Sequence, residues 1–132
     1  MRKNSIKRVV AAMLVMAVMM AAAIPAYAVQ PRYADIYRVD CRLGISDNVA
    51  QCYAKVIGES DYHTYTIHMV LYQDDEDYAE WDVSGVWLAE TTEYCYVTRG
   101  HEYYIGVHVK AYDEDGNFIE QAVAYTNTYN YQ

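Results

Sequence analysis

The sequence predicts an all-β protein: an antiparallel two-sheet sandwich of about seven strands. Three observations carry that expectation. Apolar and polar residues alternate over short runs beyond residue 28. Gly, Asn and Asp punctuate those runs, and no stretch after them repeats apolar residues at helical spacing. Alternation with turn residues between runs is the strand and hairpin pattern. A single sheet of this length would leave one apolar face bare, and two sheets packed face to face cover it.

The first element is a leader. Arg2, Lys3, Lys7 and Arg8 form a basic start, an uncharged run follows from Val9 to Ala23, and the segment closes on Ala26-Tyr27-Ala28. That order predicts a signal peptide over residues 1–28, cut after an A-x-A site. The apolar run falls short of the roughly 20 residues that span a bilayer, so no stable membrane insertion is expected after cleavage. The expected product is secreted or extracellular. It spans residues 29–132 as a single β-sandwich domain, large enough to bury roughly 65% of its unfolded surface.

The strands follow in order. In "YRVDCRLGIS", Val39, Cys41, Leu43 and Ile45 share one face, while Arg38, Asp40 and Arg42 share the other. "NVAQCYAKVIG" repeats the pattern with Ala50, Cys52, Ala54 and Val56, after a turn expected at Ser46–Asp47. "YHTYTIHMVLY" places Tyr65, Ile67, Met69 and Leu71 together, opposite Thr64, Thr66, His68 and Val70. The acidic "YQDDEDY" reads as a loop. Glu80–Ala89 reads as one or two short strands bent at Ser84-Gly85, and "TTEYCYVT" as the next strand. "VTRGHEYYIGVHVKAY" and "NFIEQAVAYTNTY" close the series across an Asp-Gly turn.

Charge narrows the partners. All 18 acidic residues lie after Ala28, against six basic ones, which leaves a net charge of −12. Nucleic acid needs its phosphates neutralised by Lys and Arg, so it is not an expected partner. An anionic membrane surface is disfavoured on the same ground.

Val97, Gly100, Tyr103, Ile105, Val107, Val109 and Ala111 stand in an order that resembles the turn into the penultimate strand of fibronectin type III domains. The resemblance implies an immunoglobulin-like sandwich and a tyrosine corner at Tyr103, whose hydroxyl would bond back to an upstream backbone group. It also implies that the second strand borders the fifth. The general plan is similar to that of small exported bacterial proteins of unassigned function.

Cys41 and Cys52 are symmetric about the expected turn, and Cys95 is the other candidate neighbour of Cys52. Three readings follow: a Cys41–Cys52 bridge, a Cys52–Cys95 bridge, or three free thiols. "HEYYIGVH" lacks the i, i+4 spacing of a helical zinc motif, so His63, His68, His101 and His108 read as surface residues. Asp74, Asp75 and Asp77 form one acidic cluster; Asp113 and Asp115, with Glu120 beyond the turn, form another. Calcium takes several converging oxygens, which makes these six its candidate ligands, although the EF-hand spacing is incomplete. No cofactor is otherwise implied. Trp81, Trp87, Tyr72, Tyr78, Tyr94 and Tyr104 exceed what so small a core absorbs and are the candidate binding surface.

The expected function is a secreted, non-enzymatic module that binds a protein or glycan. A calcium-dependent extracellular module is the alternative, and a glycan hydrolase working through paired carboxylates is the third.

Overall fold

The computed structural model describes residues 33–132. The expected leader over residues 1–28 lies outside them. Eight strands run in order: β1 Ile36–Ser46, β2 Val49–Gly58, β3 Thr64–Gln73, β4 Glu76–Val86, β5 Leu88–Tyr96, β6 His101–Tyr112, β7 Phe118–Tyr125 and β8 Tyr129–Tyr131. They form two antiparallel sheets, ordered β1-β2-β5 and β4-β3-β6-β7, with β8 added to the start of β6. The expected all-β sandwich is what is found, with one strand more than the sequence suggested. β8 was missed because Thr126–Thr128 interrupts a stretch that reads as one continuous strand.

The core lies between the sheets and is built by the alternating residues. Ala50, Cys52, Ala54 and Val56 of β2 meet Tyr65, Ile67, Met69 and Leu71 of β3 and Ile105, Val107, Val109 and Ala111 of β6. All are essentially inaccessible to solvent. Burying each of the large aliphatic side chains contributes about 1.5–3 kcal/mol before the entropy of ordering is subtracted.

Two hairpins turn on residues other than glycine. Ser46 pairs with Val49 across Asp47–Asn48, and Gln73 pairs with Glu76 across Asp74–Asp75. All four turn residues have positive φ, between 51° and 66°. A two-residue turn whose twist matches that of its strands needs positive φ at both central positions, and Asp and Asn tolerate it best after Gly. The acidic segment is therefore two turn residues followed directly by β4, not a loop.

The break expected at Ser84-Gly85 falls instead at Trp87. β4 runs unbroken to Val86, and Trp87 alone, at φ 66°, carries the chain into the other sheet. Its N–H donates to the His63 carbonyl at 3.0 Å, and its carbonyl accepts from Gly58 N–H at 2.8 Å. Those two bonds hold a bulky residue in a conformation it rarely adopts.

The observed turn also corrects the cysteine geometry. With the hairpin closed on Ser46–Val49, Leu43 faces Cys52 and Cys41 faces Ala54; across β2 and β5, Cys95 faces Ala50. All three thiols sit on the inner side of one sheet, yet Cys41 and Cys95 are each diagonal to Cys52. Diagonal neighbours stand about 7–8 Å apart, beyond disulfide reach. The three cysteines are free. Burial, and then the nearby Cys95 and Glu93, push the Cys52 thiol up to about 12.

Candidate functional site

The outer face of the larger sheet carries the most organised surface. On β3, the residues alternating with the core are Thr66, His68, Val70 and Tyr72; β6 sets Lys110, His108, Gly106 and Tyr104 directly opposite them. β7 adds Val123 beside His108 and Tyr125 beside Gly106. Tyr72 and Tyr104 stack at 4.7 Å between ring centroids, and Tyr125 meets Tyr104 edge-on at 6.3 Å. A hollow of about 240 Å³ opens here. Val70 and Gly106 floor it, Tyr72 and Tyr125 form one wall, and His68, His108 and Val123 form the other.

Gly106 makes this hollow. A Cβ at that position would stand 2.9 Å from the Tyr125 ring and 3.0 Å from the Tyr72 ring. Both rings lean over the glycine, and Val70 beneath them is buried although it faces away from the core. His68 Nδ1 lies 2.8 Å from the Asp82 carboxylate on β4, and His108 is its register partner on β6. Partial burial, with Asp77 next, raises the Tyr72 hydroxyl above its ordinary range. Desolvation and a hydrogen bond to Asp75 do the same for Tyr104. Both phenols stay neutral donors at physiological pH. The rim from β4 is acidic, with Asp77, Glu80 and Asp82, and among the described residues Lys110 is the cation on this face.

The other aromatic candidates disperse. Trp81 points inward and packs on the core rim. Trp87, 46% exposed, sits at the sheet crossover. Tyr78 packs edge-on against Tyr103 and donates to the Tyr96 carbonyl at 2.8 Å. Tyr94 lies exposed on the outer side of β5, in the opposite sheet. Of the six, the structure brings together Tyr72 and Tyr104, and it adds Tyr125.

The six acidic candidates do not converge. Gln73 pairs with Tyr103 and Thr64 with Tyr112, so the Asp74–Asp75 turn and the Asp113–Gly116 turn lie at opposite ends of β3 and β6. Ten strand residues separate them, about 30 Å. Asp74 accepts from the Glu102 N–H at 3.0 Å and pairs with His101. Asp113 accepts from the N–H groups of Asp115 and Asn117 at 2.9 and 2.8 Å, closing its own turn. Glu120 accepts from the N–H groups of Ala34, Asp35 and Ile36, tying the start of the domain to β7. Each of these three carboxylates is engaged with the backbone. Among the described residues, no group of three or more His, Cys, Asp or Glu side chains is arranged to hold a metal ion.

Two ends of the sandwich are closed by polar contacts, of which the resemblance implied one, the Tyr103 hydroxyl bonded to an upstream backbone group. Asp35 is buried, 2.9 Å from both His63 Nδ1 and the Tyr65 hydroxyl. At the other end, the Tyr103 hydroxyl donates to the Thr98 carbonyl at 3.1 Å and accepts from Thr98 N–H at 3.0 Å and Gln73 Nε2 at 2.8 Å. Tyr131 donates to the Asn48 side chain at 2.8 Å beside it. These contacts brace the sheets and leave the outer face of the larger one open.

No protein-family model matches the chain. No curated protein matches it at a significant level.

Proposed function

We propose that the chain is an exported, non-enzymatic binding module of fibronectin type III-like plan, whose ligand is a neutral glycan seated in the hollow over Gly106. The order β1-β2-β5 against β4-β3-β6-β7, together with the Tyr103 hydroxyl bonded to Thr98, supports the finer fold assignment. The observation that carries the function is the hollow itself: neutral tyrosine rings on one wall and two imidazoles on the other. A sugar ring offers an apolar face to flat aromatics and hydroxyls to polar groups at the edge, and this site supplies both.

Size and charge select within the class. At about 240 Å³ the hollow is smaller than the roughly 300–1,000 Å³ of sites for drug-sized molecules, so it takes one ring or a chain end. The acidic rim of Asp77, Glu80 and Asp82 repels uronic or sulfated sugars. Among the described residues Asp77 is the one carboxylate lining the hollow, and hydrolysis by paired acids needs a second across the bond.

Screening the protein against a glycan array tests this. Neutral glycans are expected to bind, and Tyr72→Ala or Tyr125→Ala to weaken binding about tenfold or more, the cost of removing a central aromatic anchor. Tyr94→Ala, on the opposite sheet, is the control and leaves binding unchanged. Binding confined to other proteins, or equally sensitive to Tyr94→Ala, contradicts the proposal.

A further inference from the structure

We infer that β1 is a self-association edge, through which two copies of the chain pair antiparallel about Cys41 and join their three-stranded sheets into one. A free sheet edge presents unpaired N–H and C=O groups, and natural sheets blunt it with bulges, inward charges or covering segments. Each of the other three edges carries such a feature within its length. In β4, Tyr78 is bulged out of register against β3. In β7, Ile119 is bulged against β6, and Glu120 carries the N-terminal segment. In β5, Glu93 points inward on the face of Cys52. β1 differs: beyond a bulge at Tyr37 its inward residues are Val39, Cys41, Leu43 and Ile45, all apolar and half-buried.

The open part of this edge is short and centred. The bulge closes it on one side, and the Tyr129 hydroxyl, 3.4 Å from the Ile45 carbonyl, closes it on the other. Among the described residues nothing pairs with Val39–Leu43 from outside. The β1–β2 turn closes on Ser46 and Val49, and hydrogen-bonded pairs alternate from there. The N–H and C=O groups of Val39, Cys41 and Leu43 therefore face outward, as the Ile45 carbonyl does.

The segment is its own complement. Paired antiparallel about Cys41, Asp40 of each copy faces Arg42 of the other, and Val39 faces Leu43. Opposite charges and apolar pairs set across strands are what stabilise such a ladder. Asp40 now bonds the exposed Arg38 at 2.9 Å, a surface contact that exchanges at little cost. A hollow of about 420 Å³, lined by Cys41, Arg42 and Leu43 and by Tyr125–Tyr129, leaves room beside the edge. Cys41 would face Cys41 at the spacing of a hydrogen-bonded pair, about 5.5 Å between Cα atoms, which a disulfide spans. Oxidised glutathione then links them: two thiols become one disulfide while one glutathione disulfide becomes two glutathione thiols.

Sedimentation equilibrium under reducing conditions, then with oxidised glutathione followed by peptide mapping, tests the pairing. The expected result is a reversible dimer that oxidation locks through Cys41–Cys41, with Cys41→Ser abolishing the lock and leaving the reversible dimer. Arg42→Asp sets like charges opposite each other and is expected to weaken association about tenfold or more. The double exchange Asp40→Arg with Arg42→Asp restores both association and lock. A monomer at every concentration with and without oxidant overturns the inference. So does a dimer that ignores Arg42→Asp, or one that cross-links through Cys95.

Discussion

Tyr103 shows how much one hydroxyl can hold. It satisfies both backbone groups of Thr98 and the amide of Gln73 while its ring fills the core edge. Tyr103→Phe keeps the ring and strands those partners, so urea unfolding is expected to show a loss of about 1–3 kcal/mol. Titration adds a second residue-scale expectation. The Glu102 N–H and then the His101 imidazole hold the Asp74 carboxyl below its ordinary 3.8, and the Asn117 N–H leads the same effect at Asp113. Groups with depressed folded values contribute stability above the ordinary carboxylate range and lose it as pH falls through the folded value. Tyr65 works in the opposite sense. Burial and its bond to Asp35 raise its hydroxyl to about 12, so its contribution is complete below about 10 and lost as pH climbs from there. Urea midpoints measured across pH are expected to form a plateau that falls at both ends. Asp113→Asn should make the acid limb shallower; an unchanged limb would remove Asp113 from the account.

At the scale of elements, turns and registers decide what each strand can do. Gly58 ends β2 where the Tyr65 ring crosses it: a Cβ there would lie 1.9 Å from that ring. Tyr65 is fully buried and cannot swing aside, so Gly58→Ala is expected to cost about 1–3 kcal/mol or more through overpacking, read by thermal melting. Local pattern made the strands legible. Every inward residue named from alternation in β2 and β3 is buried, because period-two patterning is written residue by residue. What the pattern did not carry was the exact turn. Asp47–Asn48 rather than Ser46–Asp47 moves the register so that Cys41 faces Ala54 instead of Cys52. Trp87 was hidden for a related reason, since positive φ at a tryptophan has no local signature.

The whole molecule explains why the candidate site was only half visible. Tyr72 and Tyr104 stood out by composition, but their stacking depends on β3 pairing with β6, partners 32 residues apart in the chain. Gly106 and the facing pair His68 and His108 belong to the same long-range pairing, while Tyr125 joins them across the β6–β7 hairpin and continues an alternation visible from Val123. The acidic residues were conspicuous for the opposite reason: their density along the chain suggested one site, whereas the fold sends them to opposite ends as turn and latch residues. A fold that closes both ends with tyrosines and carboxylates leaves the outer face of its larger sheet as the surface where aromatic rings and polar groups converge. The most direct test of that claim is two-dimensional NMR of the protein titrated with a glycan identified by array. The account predicts shifts concentrated at His68, Val70, Tyr72, Gly106, His108 and Tyr125. Shifts confined to the turns, or to the β1-β2-β5 sheet, would contradict it.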